Sequence, residues 1–182
     1  MKATGIVRRI DELGRVVIPK EIRRTMRIRE GDPLEIYTDR DGEVIFRKYS
    51  PIGELTTFAT QYAESLNKTC NMNVIICDRD GIIAIGGVPK KDFMDRRISD
   101  KLDDVMKTRN FYGFGPGQTP IDPTLDGTDY YISSMMPIVG DGDIVGCVAS
   151  LYEKGKSGHQ VTEEESKLVQ TAAMFLGLQM DS

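Results

Sequence analysis

Seven basic side chains crowd the first 24 residues: Lys2, Arg8, Arg9, Arg15, Lys20, Arg23 and Arg24. With Arg27 and Arg29 they make nine cations against three anions (Asp11, Glu12 and Glu21) over the first 29 residues, a net of +6. The 182-residue chain as a whole nets −4, so the remaining 153 residues carry −10. A cationic end on an acidic protein is the electrostatic footprint of an anionic partner. The adjacent pairs Arg8-Arg9 and Arg23-Arg24 suit a polyanion, and double-stranded DNA is the expected one. Arginine fits the task because its planar fork bridges phosphate oxygens or grips O6 and N7 of guanine. Arg8, Arg9, Arg15, Arg23 and Arg24 are the main candidates, with Lys2 and Lys20 secondary. A merely solvated charged face is the competing reading for any one of them, but five together argue for a surface. Asp11, Glu12 and Glu21 either position these arginines or simply keep a turn and a helix soluble. No array of Asn or Gln offers adenine recognition, so specificity through DNA shape and deformability is expected.

Other chemistry is poorly supplied. His159 is the sole histidine, and Cys70, Cys77 and Cys147 lack C-x-x-C spacing. That speaks against a disulfide framework, a zinc or multi-His metal site and a His-based triad, and no cofactor is expected. Cys77 and Cys147 lie in apolar runs and read as small buried hydrophobes, with no evident resolving pair. No stretch approaches the roughly 20 apolar residues of a membrane helix, and no apolar leader is seen. A cytoplasmic protein is expected.

The elements that must position the arginines are short. Thr4–Ile10 and Arg15–Ile18 read as strands around an Asp11–Gly14 turn. Pro19 opens a helix over Lys20–Arg27. Leu34–Tyr37 and Glu43–Arg47 form a hairpin across Asp39–Gly42. So thin a core is marginal alone, and a shared dimer core is the usual remedy. After Pro51 the apolar positions Ile52, Leu55, Ala59, Tyr62 and Leu66 recur at heptad spacing, which predicts helix-to-helix packing between subunits. Further on, strands are predicted at Asn73–Asp78, Ile82–Gly86, Tyr130–Val139 and Asp143–Tyr152. A helix is predicted over Ile98–Arg109. Thr162 and Glu165 read as a capping box opening a C-terminal helix. Phe111–Asp129 is too long for an ordinary connection and is a candidate binding loop; Phe111, Tyr112, Phe114, Tyr130 and Tyr131 line a pocket there or fill a core.

The run GIVRRIDELGRVVIPKEIRRTMRIREGDPLEIY closely resembles the DNA-binding segment of AbrB-type transition-state regulators over residues 1–50. The remaining elements, with stretches such as PIVGDGDIVGCV, resemble a GAF-type sensor domain, and the combination is similar to the sporulation branch of that regulator family. The resemblance implies an α+β protein: a swapped-hairpin β-barrel dimer at residues 1–50, a linker or dimerisation helix at 51–69, and a GAF-like α/β domain with flanking helices at 70–182. It implies a transcription regulator of sporulation genes, activator and repressor, acting in the forespore. The five arginines match basic positions of the family's DNA-binding motif. A homodimer through residues 1–50 and a homotetramer through residues 51–182 are expected, with a small-molecule effector of unknown identity. The alternatives are an antitoxin-like binding protein, disfavoured by the folded domain that follows residue 50, and, less favoured, a cysteine-based redox enzyme of GAF fold.

Overall fold

The computed structural model describes residues 4–156 and 159–180. Contacts divide the chain between Tyr49 and Ser50. In the first unit, helix α1 (Lys20–Thr25) follows Pro19, and strands β1 (Leu34–Thr38) and β2 (Val44–Lys48) pair antiparallel from Leu34↔Lys48 to Thr38↔Val44. Asp39 Oδ1 closes the hairpin by accepting the N–H groups of Asp41 and Glu43, at 3.0 and 2.9 Å.

α1 ends two residues before the sequence suggests. Arg27 takes a left-handed φ of 52°, Ile28 N–H donates to Arg23 O at 2.7 Å, and Arg27 N–H donates to Arg24 O at 3.2 Å. These paired bonds are the Schellman terminator, with arginine where glycine is usual. Asp32 Oδ2 accepts from Arg29 N–H at 2.8 Å and Lys48 Nζ donates to Arg27 O at 3.0 Å, which fastens the chain leaving the helix.

Thr4–Ile10 and Arg15–Ile18 are not laddered strands, contrary to expectation. A strand needs a hydrogen-bonding neighbour, and among the described residues one chain of this unit holds one hairpin and one six-residue helix. No residue from Thr4 to Tyr49 is buried. Val7 is 83% exposed, Ile10 70% and Val17 71%.

The second unit is built on a five-stranded antiparallel sheet of order β4-β3-β7-β6-β5, from β3 (Asn73–Asp78), β4 (Ile82–Gly86), β5 (Tyr112–Gly113), β6 (Tyr130–Gly140) and β7 (Asp143–Glu153). Strand alternation sends Val74, Ile76, Ala84, Ile138 and Val148 to one face, under helices α3 (Thr56–Cys70) and α6 (Glu163–Leu178). Ile75, Cys77, Ile82, Met135 and Cys147 point the other way, against Phe93 of α4 (Lys90–Phe93), Leu102 and Met106 of α5 (Asp100–Met106), and Ile121 of the long loop.

Of the five heptad positions, Ile52, Ala59 and Leu66 are buried inside this unit, while Leu55 and Tyr62 are half-buried. A short α2 (Pro51–Glu54) precedes α3, and Ile52, Ala59, Ala63 and Leu66 are buried in the core that the sheet shares with α3 and α6. Two heptads of apolar spacing serve a helix lying on a sheet as well as a helix lying on a helix. α5 starts one residue past Ser99, whose hydroxyl accepts from Leu102 N–H at 3.1 Å. At α6 only half of the capping box forms. Thr162 Oγ1 accepts from Glu165 N–H at 3.1 Å, while the Glu165 carboxylate turns into the sheet.

Candidate nucleic-acid interface

Arg8, Arg9, Arg15, Lys20, Arg23 and Arg24 are all exposed, and Lys2 lies outside the described residues. They stand on three pieces of the first unit: the irregular segment 4–10, the loop 11–15, and α1. Arg8 Nη1 donates to Val7 O at 3.0 Å. Arg23 and Arg24 occupy the last turn of α1, where cations complement the helix dipole.

Arg15 is the best-anchored of the set, and Asp11 anchors it. Asp11 Oδ1 accepts from Leu13 N–H at 3.0 Å and Arg15 N–H at 2.8 Å, while Oδ2 accepts from Arg15 Nε at 2.8 Å. Asp11 N–H returns a bond to Arg15 O at 3.0 Å, and Gly14, at φ 74°, completes the turn. Asp11 thus closes the turn and holds the Arg15 side chain at once. The Arg15 backbone N–H, followed by its guanidinium, holds the Asp11 carboxyl below its usual range. A depressed pKa means the loop contacts are in place above the ordinary carboxylate value and are lost only as pH falls through the lower one. From about pH 5 to about pH 8 the loop is therefore expected to hold its form. Asp11→Ala is expected to weaken DNA binding roughly fivefold, while Asp11→Asn, which keeps an acceptor for both backbone N–H groups, retains most affinity. Fluorescence anisotropy of a labelled duplex checks both, and equal affinity of wild type and Asp11→Ala would remove Asp11 from the interface.

Cysteine chemistry in the second unit departs from the spacing argument. Cys77 on β3 lies opposite Cys147 on β7 in the sheet register, and both are buried. Strand pairing across a long stretch of sequence makes this pair, and spacing alone does not show it. Contact with the Cys147 thiol, then burial, pushes the Cys77 thiol well above its usual pKa. Thiols of that kind are poor nucleophiles. A thiol reagent is expected to modify Cys70, which is exposed, and to reach the other two only on unfolding. Rapid modification of all three in the native protein would contradict this.

A basic hairpin unit with exposed arginines, followed by a helix-flanked antiparallel sheet unit, has the make-up of a nucleic-acid-binding protein with an appended domain. The family profile described as stage V sporulation protein T C-terminal, transcription factor, matches residues 54–181, and that of antidote-toxin recognition MazE, bacterial antitoxin, matches residues 7–54. Stage V sporulation protein T of Bacillus subtilis (strain 168) is 50% identical over 183 residues, spanning 100% of this chain and 99% of that protein. The transition state regulatory protein AbrB of the same organism is 65% identical over 102 residues, 55% of this chain and 88% of its own length. The GAF domain of a phosphoenolpyruvate-protein phosphotransferase from Coxiella burnetii shares the fold at a TM-score of 0.51 and 18% identity, covering 69% of this chain and 82% of that one. The chain belongs to the stage V sporulation protein T family of transcription factors, and regulates sporulation.

Proposed function

We propose that residues 1–50 of two chains interleave into one core and that Arg8, Arg9, Arg15, Arg23 and Arg24 of both chains then form a single surface on double-stranded DNA, with Lys2 and Lys20 at its margin. The observation that carries this is the absence of any buried residue from Thr4 to Tyr49 beside a full complement of exposed arginines. A second copy supplies the neighbouring strands that Thr4–Ile10 and Arg15–Ile18 call for, and covers Val7, Ile10 and Val17. Sedimentation velocity of a fragment ending at residue 50 tests it. A dimer is expected, and a folded monomer would refute the shared core.

Residues 51–69 and 70–182 act together as the assembly and sensing part. Phe58 and Tyr62 of α3 pack on Phe175 of α6, with ring centroids 5.5 and 5.7 Å apart. Beside them Met174 is 70% exposed and Leu178 54%. This apolar helical face suits a second dimer contact and so a homotetramer. The protein works in the cytoplasm, in the forespore compartment, as activator and repressor of sporulation genes, through DNA binding and not catalysis. No described helix is long and apolar enough to cross a membrane. The antitoxin profile over residues 7–54 favours toxin pairing as a second reading. The folded unit that follows it supports the regulatory one.

A further inference from the structure

The chain's one histidine belongs to a polar cluster that DNA binding does not use. Ser133 and Ser134 of β6 and Ser150 of β7 are buried. Their hydroxyls converge on a single oxygen, Oε1 of Glu165, at 2.5, 3.2 and 2.5 Å. The Ser133 hydroxyl also meets Nε2 of His159. Ser133 has one proton, and a carboxylate only accepts. With the Ser133 hydroxyl donating to an ionised Glu165, the Ser133 oxygen accepts from His159, and Nε2 carries the hydrogen. A neutral imidazole in that tautomer keeps Nδ1 as an acceptor. The ring is held in place by stacking on Tyr152, centroids 3.9 Å apart at 18°, and by the edge of Tyr131 at 6.3 Å.

His159 lines an open cavity of about 560 Å³ with Phe111, Phe114, Val161, the glycine-rich segment 113–117 and the polar Gln160 and Ser166. That volume lies within the range of small-molecule sites. Among the described residues no Asp, Glu, Lys or Arg side chain lines it. A charged ligand would lose water there without gaining a counter-charge, whereas two phenylalanine rings offer a planar molecule stacking or edge contacts.

We propose that this cavity binds an uncharged planar aromatic molecule carrying one N–H or O–H donor, its ring against Phe111 and Phe114 and its donor on His159 Nδ1. The proposal rests on the reading of the second unit as a sensing part and names its ligand class. Ser133 and Glu165 join the imidazole to the first turn of α6, the helix that carries Met174 and Leu178.

Indole is a suitable probe, because the chain has no tryptophan and indole emission reports on the probe alone. Titration of the full chain into indole is expected to give saturable, blue-shifted emission with a dissociation constant below about 1 mM. Methylation of the indole nitrogen, or His159→Ala, is expected to weaken binding about tenfold, and Phe111→Ala to weaken it comparably, each variant's fold being checked by its melting temperature. Absence of saturation with indole and with phenol overturns the proposal. So does saturable binding that N-methylation and both substitutions leave unchanged. If binding behaves as expected while saturating indole alters neither DNA affinity nor assembly mass, the site stands and the sensing reading fails.

Discussion

Replacing Arg23 and Arg24 together by alanine is expected to reduce affinity for a target duplex by about a hundredfold at physiological salt while leaving the fold intact. Both side chains are exposed on the last turn of α1, so neither contributes to a core. The helix loses cations at its C-terminus, a cost of about 0.3–1 kcal/mol at most, and gains two residues of the highest helix propensity. The loss falls on the interface. In a dimer the substitution removes four guanidinium groups from one surface, and each phosphate contact releases condensed counterions, so the losses multiply. A gel-shift titration beside a circular dichroism melt separates the two effects. Unchanged affinity would place the DNA surface elsewhere, and a collapsed melt would mean that α1 depends on these arginines.

The second large effect concerns the scaffold. Gly86→Ala is expected to destabilise the second unit by about 3 kcal/mol, near the upper end for overpacked cores. A Cβ at Gly86 would stand 2.2 Å from the carbonyl oxygen of Ala63 and 2.8 Å from its carbon. Both obstacles are α3 backbone, so only displacement of the helix from β4 makes room. For a unit of this size that corresponds to a melting shift of about 10 °C. Gly115→Ala is the control, since nothing stands within 4 Å of its would-be Cβ, and it is expected to melt within about 2 °C of wild type. Equal melting of the Gly86 and Gly115 variants would contradict the close approach of α3 to the sheet.

Much of the second unit was legible in the sequence because its signals are local. Asn73–Asp78 and Ile82–Gly86 are apolar runs bounded by turn residues, and they are the observed strands. Thr162 announced α6 through its hydroxyl. What was missed depends on partners distant in sequence. Cys77 and Cys147 meet only because β3 pairs with β7. Glu165 leaves its capping role because three serines on two strands offer it hydroxyls. The heptad pattern from Ile52 to Leu66 does not say whether sheet or helix covers it, and within one chain both the sheet and α6 do. Arg27 gave no hint that it would take the left-handed position that ends α1. In the first unit the arginines were readable by type and clustering, and Asp11 by its place beside Gly14. The strands Thr4–Ile10 and Arg15–Ile18 are expected from short Ile- and Val-bearing runs on either side of a turn, but a ladder depends on a neighbour that one chain does not contain.

The central claim is that arginines from two chains complete one DNA surface, and the salt dependence of binding tests it most directly. Affinity of the full chain and of the Arg23→Ala/Arg24→Ala variant for one duplex is measured by anisotropy across a low-salt range where both bind. Each lost phosphate contact lowers the slope of log affinity against log salt by about 0.9. One chain's pair accounts for a fall of at most about 1.8, and two chains' pairs for as much as about 3.6. A fall clearly above about 2 is the expected result, because no single chain can supply it. A slope that falls by about 0.9 or less, or does not change, would contradict a surface shared by two chains, because two equivalent chains lose phosphate contacts in pairs.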